Sequence, residues 1–104
     1  MRRITAKAEL DIAGPVSIAE LVKTLSHNTW PVDETLIENI EFEEIANTST
    51  LRVILIVHGE SYAQAEIIAE NFLRSIDAYI SSILQPSFTQ PIDVQEGSML
   101  LMRA

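Results

Sequence analysis

Cysteine is absent from the 104-residue chain, which removes disulfides, thiolate metal sites, iron–sulfur clusters and cysteine nucleophiles together. Glycine is scarce: Gly14, Gly59 and Gly97 are the only three, and they form neither a Walker-type loop nor a Rossmann fingerprint. No HExxH and no GxSxG pattern occurs. Bases are few, 7 against 15 acids for a formal net charge of −8, so a general basic face for phosphate backbones is not expected. Long apolar runs are lacking too. The start, Met1-Arg2-Arg3-Ile4, carries charge and then alternates, which gives neither a signal peptide nor a membrane span. Together with the missing cysteine, this favours a cytoplasmic protein.

What is present is enough for a core. Apolar residues make up 47% of the chain, and the length suits one domain spanning 1–104. The chain is organised around Leu51 to Gln85, where an apolar strand runs into a long amphipathic helix. Leu51 to His58 is rich in β-branched residues and apolar at both parities, the pattern of a strand buried on both faces. Gly59-Glu60 makes the turn. Ser61 and Gln64 have the spacing of a capping box. From Tyr62 to Leu84 the helix gathers Ile68, Ala69, Phe72, Leu73, Ile76, Tyr79, Ile80, Ile83 and Leu84 in one arc, about 160° wide. Ile67 falls on the polar face, and Glu70 precedes Arg74 at ion-pair spacing.

Ahead of this stretch, Ile4, Ala6, Ala8, Leu10 and Ile12 alternate with Thr5, Lys7, Glu9 and Asp11, which predicts a strand with one buried face. Ala13-Gly14-Pro15 ends it. Ser17 and Glu20 form a second capping box, opening a short helix from Ile18 to Ser26. Pro31 biases Trp30 toward an extended backbone. Asp33 to Leu36 fits either a helical turn or a loop. A strand follows from Ile37, with a bulge expected at Glu43-Glu44, and Ala46 to Thr50 turns it into a hairpin. Its acids suit a sheet edge. After a two-proline connection, a last strand runs from Ile92 or Val94 to Met102, with Gly97-Ser98 as its bulge.

Strand, helix, strand, strand, helix, strand is the order of the ferredoxin-like βαββαβ fold. It implies an α+β domain with a four-stranded antiparallel sheet, both helices on one face, and the first and third strands as central neighbours. This resemblance rests on element order and carries no activity with it.

Candidate sites follow from that arrangement. Both crossovers are expected to leave one end of the sheet, so that His58 and Gly59 lie near Ala13 and Gly14, with His27 at the far end. Two histidines so placed cannot share a metal. His58 and Glu60 remain as ligand-binding candidates, with Asp11 or Glu9 as a carboxylate neighbour. Glu41 and Glu43 project from one side of their strand as a conceivable acid–base pair, though a charged edge accounts for them. Trp30, Tyr62 and Tyr79 are the aromatic candidates for a cleft. The outward positions of the first strand carry no aromatic platform for single-stranded RNA. No catalytic residue, metal or cofactor is assigned.

The remaining feature is apolar. With both helices on one face, the opposite face should be polar, yet the third strand leaves either Ile54 and Ile56 or Val53 and Leu55 outward. The last strand does the same through Met99 to Met102. Taking Ile54, Ile56, Leu100 and Met102 as the outward set, with Ile83 and Leu84 on the helix end, three functions are weighed. The first is a non-enzymatic interaction or assembly domain that forms a homodimer, or pairs with another protein, through the open sheet face. The second is a dimeric ligand-binding or enzymatic domain with a cleft near His58 and Glu60. The third is an accessory or structural assembly subunit, for instance of a virus or mobile element, whose partner covers Ile83 and Leu84.

Overall fold

The computed structural model describes residues 2–103, and Met1 and Ala104 lie outside the described range. Strand β1 (Arg2–Ala13) keeps the period-two pattern of its sequence: Ile4, Ala6, Ala8, Leu10 and Ile12 are buried and the residues between them are not. Strand β2 (Ile37–Glu44) and strand β3 (Thr50–Gly59) form a hairpin, and β4 (Asp93–Arg103) closes the sheet. The four strands are antiparallel in the order β2-β3-β1-β4. The first and third strands are therefore the central pair, as expected.

Register decides which parity of β3 is buried. Residues directly opposite in an antiparallel pair share a face. Val57 lies opposite Ile4, Leu55 opposite Ala6 and Val53 opposite Ala8, so β1 draws the odd-numbered residues of β3 inward. Leu51, Val53, Leu55 and Val57 are accordingly buried, and Ile54 and Ile56 sit half-buried on the other side.

Helix α1 (Ile18–His27) buries Ile18, Leu21 and Leu25. Ser17 occupies its N-cap position without a side-chain bond, so only the cap site of the expected box is realised. Helix α2 (Tyr62–Tyr79) has the fuller cap: Ser61 Oγ accepts from the Gln64 backbone N–H at 3.2 Å, and Gln64 Oε1 accepts from the Glu60 N–H. Ala65, Ala69, Phe72, Leu73 and Ile76 form its buried stripe. These residues join the buried positions of β1, β3 and α1 in one core cluster. Ile67 is 59% exposed, as its place on the polar face predicts. Arg74 contacts Asn71 Oδ1 at 3.5 Å; among the described residues it forms no ion pair with Glu70.

Past Tyr79 the helix does not continue to Leu84 in α geometry. Ile80–Leu84 is a wider π turn and Gln85–Ser87 a tight 3₁₀ turn. Such a turn rotates the residues after it away from α spacing. Ile80 stays buried, whereas Ile83 is 58% exposed.

The bulges fall as follows. In β4 the pairing steps from Ala8–Met99 to Leu10–Glu96, so Gly97 and Ser98 together face Glu9, where the sequence places them. In β2 the break is between Ile37 and Asn39, at Glu38 and not at Glu43-Glu44. The reason is parity. Ile37, Ile40 and Phe42 pair with Val57, Leu55 and Val53, and the odd spacing from Ile37 to Ile40 puts them on one face only if the strand absorbs an extra residue.

Asp33 to Leu36 forms a turn in which Leu36 and Ile37 N–H groups both donate to the Asp33 carbonyl at 2.9 Å. Asp33 Oδ1 accepts from the Thr35 hydroxyl at 2.6 Å and the Thr35 N–H at 2.9 Å. These bonds, the hydroxyl first, hold the Asp33 carboxyl below its ordinary value of 3.8. A depressed carboxyl favours the folded state above the unfolded value, and that contribution fades as pH falls through the folded one. In a carbon-detected NMR titration, Asp33 should titrate below 3.8, and Thr35→Val should move its midpoint upward. An unmoved midpoint would remove the hydroxyl as the cause.

Candidate functional site

Antiparallel pairing of β1 and β3 overturns the expected placement of the histidines. The two crossovers leave from opposite ends of the sheet, because Arg2 faces Gly59 and Asp11 faces Thr50. His58 therefore lies opposite Arg3, a full strand length from Ala13 and Gly14. Asp11 is bound instead by the Thr50 hydroxyl at 2.8 Å, and Glu9 lies 3.6 Å from Arg52, so neither supplies a carboxylate to His58. The neighbour His58 does have is Glu38, with Nε2 and Oε1 3.9 Å apart, an ion pair only when the ring is protonated. Glu38 also meets Arg3 Nε at 2.7 Å. This Arg3–Glu38–His58 group was hidden in the sequence because it depends on the bulge that places Glu38.

Glu60 stands exposed in the turn before α2, and neither it nor His58 lines any of the five surface concavities described among these residues. His27, exposed on α1, has its Nδ1 2.7 Å from the Lys23 carbonyl. Among the described residues no three His, Asp or Glu side chains cluster as metal ligands. Trp30 and Tyr79 do meet, ring to ring at 5.3 Å, but with Phe72 and Phe42 they form an aromatic cluster packed against the core. Tyr62 lies apart from them, beside Arg2 and Arg103. Trp30, Pro31, Tyr79 and Ile83 border a shallow apolar concavity of about 440 Å³; Leu84 is half-buried against the core.

The open sheet face gathers the other candidates. Register lays them out in rows across the sheet. One row reads Glu41, Ile54, Lys7, Leu100, and the next Asn39, Ile56, Thr5, Met102. Leu100 is 56% exposed and Met102 37%. Thr5 and Lys7 thus stand between two apolar columns, a separation the sequence did not disclose because it follows from β1 lying between β3 and β4. The flanking rows are charged. On one side Arg52 lies 3.4 Å from Glu43 and 3.6 Å from Glu9; on the other stands the Arg3–Glu38–His58 group. These pairs are solvent-exposed and add little stability, but they add charge on either side of the rows that hold Ile54, Ile56, Leu100 and Met102. Glu41 and Glu43 both point onto this face, paired with Ile54 and Arg52.

No helix among the described residues is long and apolar enough to cross a membrane. Comparison with known proteins adds no relative: no family model, no curated protein and no solved structure matches the chain.

Proposed function

We propose that this chain is a non-enzymatic interaction domain of the ferredoxin-like kind, working in the cytoplasm, that associates with a second copy of itself through the open face of its sheet. The observation that supports this is the outward placement of Ile54 and Ile56, half-buried at mid-sheet, in the same rows as the exposed Leu100 and Met102. A sheet face that meets only water carries polar residues at such positions. The rows above and below are ion-paired, so the two apolar columns, with Thr5 and Lys7 between them, sit inside a charged rim. A net charge of −8 keeps unpaired surfaces soluble and sets a repulsion that the apolar rows must overcome.

Light scattering after size exclusion tests the reading. Ile54→Lys places a charge in the centre of the face while leaving Val53 and Leu55 in the core, and it should halve the mass of the native assembly. Native chain that stays monomeric at high micromolar concentration, or an assembly indifferent to Ile54→Lys, would sink it.

A further inference from the structure

The two edges of the sheet are built differently. Strand β2 carries Glu38, Glu41, Glu43 and Glu44 and is bulged at Glu38, the usual devices that stop an edge from pairing with another chain. Strand β4 is also bulged, at Gly97-Ser98, but past that bulge it carries an unbroken apolar run, Met99-Leu100-Leu101-Met102, without charge or proline. The run is apolar on both faces: Met99 and Leu101 lie opposite Ala8 and Ala6 on the helix side, and Leu100 and Met102 opposite Lys7 and Thr5 on the open side. Even on the helix side, Met99 and Leu101 remain only half-buried. An edge run without charge or proline offers its free N–H and C=O groups to another strand, and β4 pairs with β1 alone.

We propose that the β4 edge is a second contact, at which the Met99–Met102 run pairs antiparallel with the same run of another copy and extends the sheet across the junction. Charge along the strand selects this occupant. Asp93 and Glu96 lie toward one end of β4 and Arg103 ends the other. An antiparallel pair centred on Leu100 sets Met99 against the partner's Leu101, and Arg103 against the partner's Gly97, beside its Glu96. A parallel pair would set like charges side by side. The two-fold axis of this contact is perpendicular to the sheet, so the contact leaves the open face free. Main-chain hydrogen bonds supply its affinity and the apolar side chains its fit.

The test separates this contact from the sheet-face one. Leu101→Lys charges the helix-side position of the edge, and Ile54→Lys charges the open face alone. With both contacts present, each variant should halve the mass of the native assembly, and the double variant should be a monomer of 11.6 kDa. Halving by Leu101→Lys alone supports the edge and rejects the face; halving by Ile54→Lys alone does the reverse. Hydrogen exchange on the unmodified chain guards against a folding defect in Leu101→Lys. Every second amide across Met99–Met102 should exchange at least tenfold more slowly in concentrated than in dilute protein. Exchange there that is independent of concentration would overturn the edge contact.

Discussion

Leu55→Ala should lower the free energy of unfolding by about 3 kcal/mol, within the range for emptying a fully buried leucine site, whereas Ile54→Ala should cost less than about 1 kcal/mol. The two residues are adjacent and chemically alike, and only the pleat distinguishes them. Leu55 is 1% exposed between Ala6 and Ile40, beneath the helices; its neighbour faces the other way. For a domain of this size the larger loss corresponds to a melting point lower by roughly 12–24 °C. Urea unfolding of dilute protein measures both. Equal losses would mean that β3 is not set in the register of Ile4–Val57 and Ala6–Leu55.

Gly14→Ala should cost about 2–3 kcal/mol, in the range for backbone held where only glycine is comfortable. Gly14 has φ of +149°, and a Cβ there would lie 3.0 Å from the Pro91 carbonyl oxygen and 3.1 Å from Ile92 Cα. Both obstacles are main chain, so neither can swing aside as a side-chain tip would. The residue thus links the end of β1 to the segment that leads into β4. Gly97→Ala is the control: its Cβ would meet the Glu9 carbonyl oxygen at 3.2 Å with no unfavourable φ, and the loss should be smaller. Thermal melts of the two variants check the order. A Gly14→Ala protein within about 0.5 kcal/mol of the parent, the range of an ordinary surface change, would contradict the geometry.

Much of the architecture was legible because its signals are local. The alternation from Ile4 to Ile12, the helix start after Ser17, the capping box at Ser61, and the bulge at Gly97-Ser98 each depend on a few consecutive residues. The parity of β3 was not legible. Val53 and Leu55 are about as apolar as Ile54 and Ile56, and the choice between them is made by pairing with β1, some fifty residues away in sequence. The crossover geometry failed for a related reason: placing His58 beside Ala13 treats β1 and β3 as running together, and the sheet makes them run opposite. The bulge in β2 lies at Glu38 and not at Glu43-Glu44, because the odd spacing from Ile37 to Ile40 requires it there. As for the candidate site, the outward set of Ile54, Ile56, Leu100 and Met102 could be named from composition. Its division by Thr5 and Lys7, and the meeting of Arg3, Glu38 and His58, needed the order of the strands.

That order also fixes a sequence of events during synthesis. Strand β1 emerges from the ribosome before every other element of the sheet, yet its two neighbours are β3, thirty-odd residues or more behind, and β4, the last to appear. Until β4 is released, the longest alternating strand of the protein has one flank open, and contacts this distant along the chain close slowly. Until β3 has followed, β1 is a half-apolar ribbon with no strand on either flank.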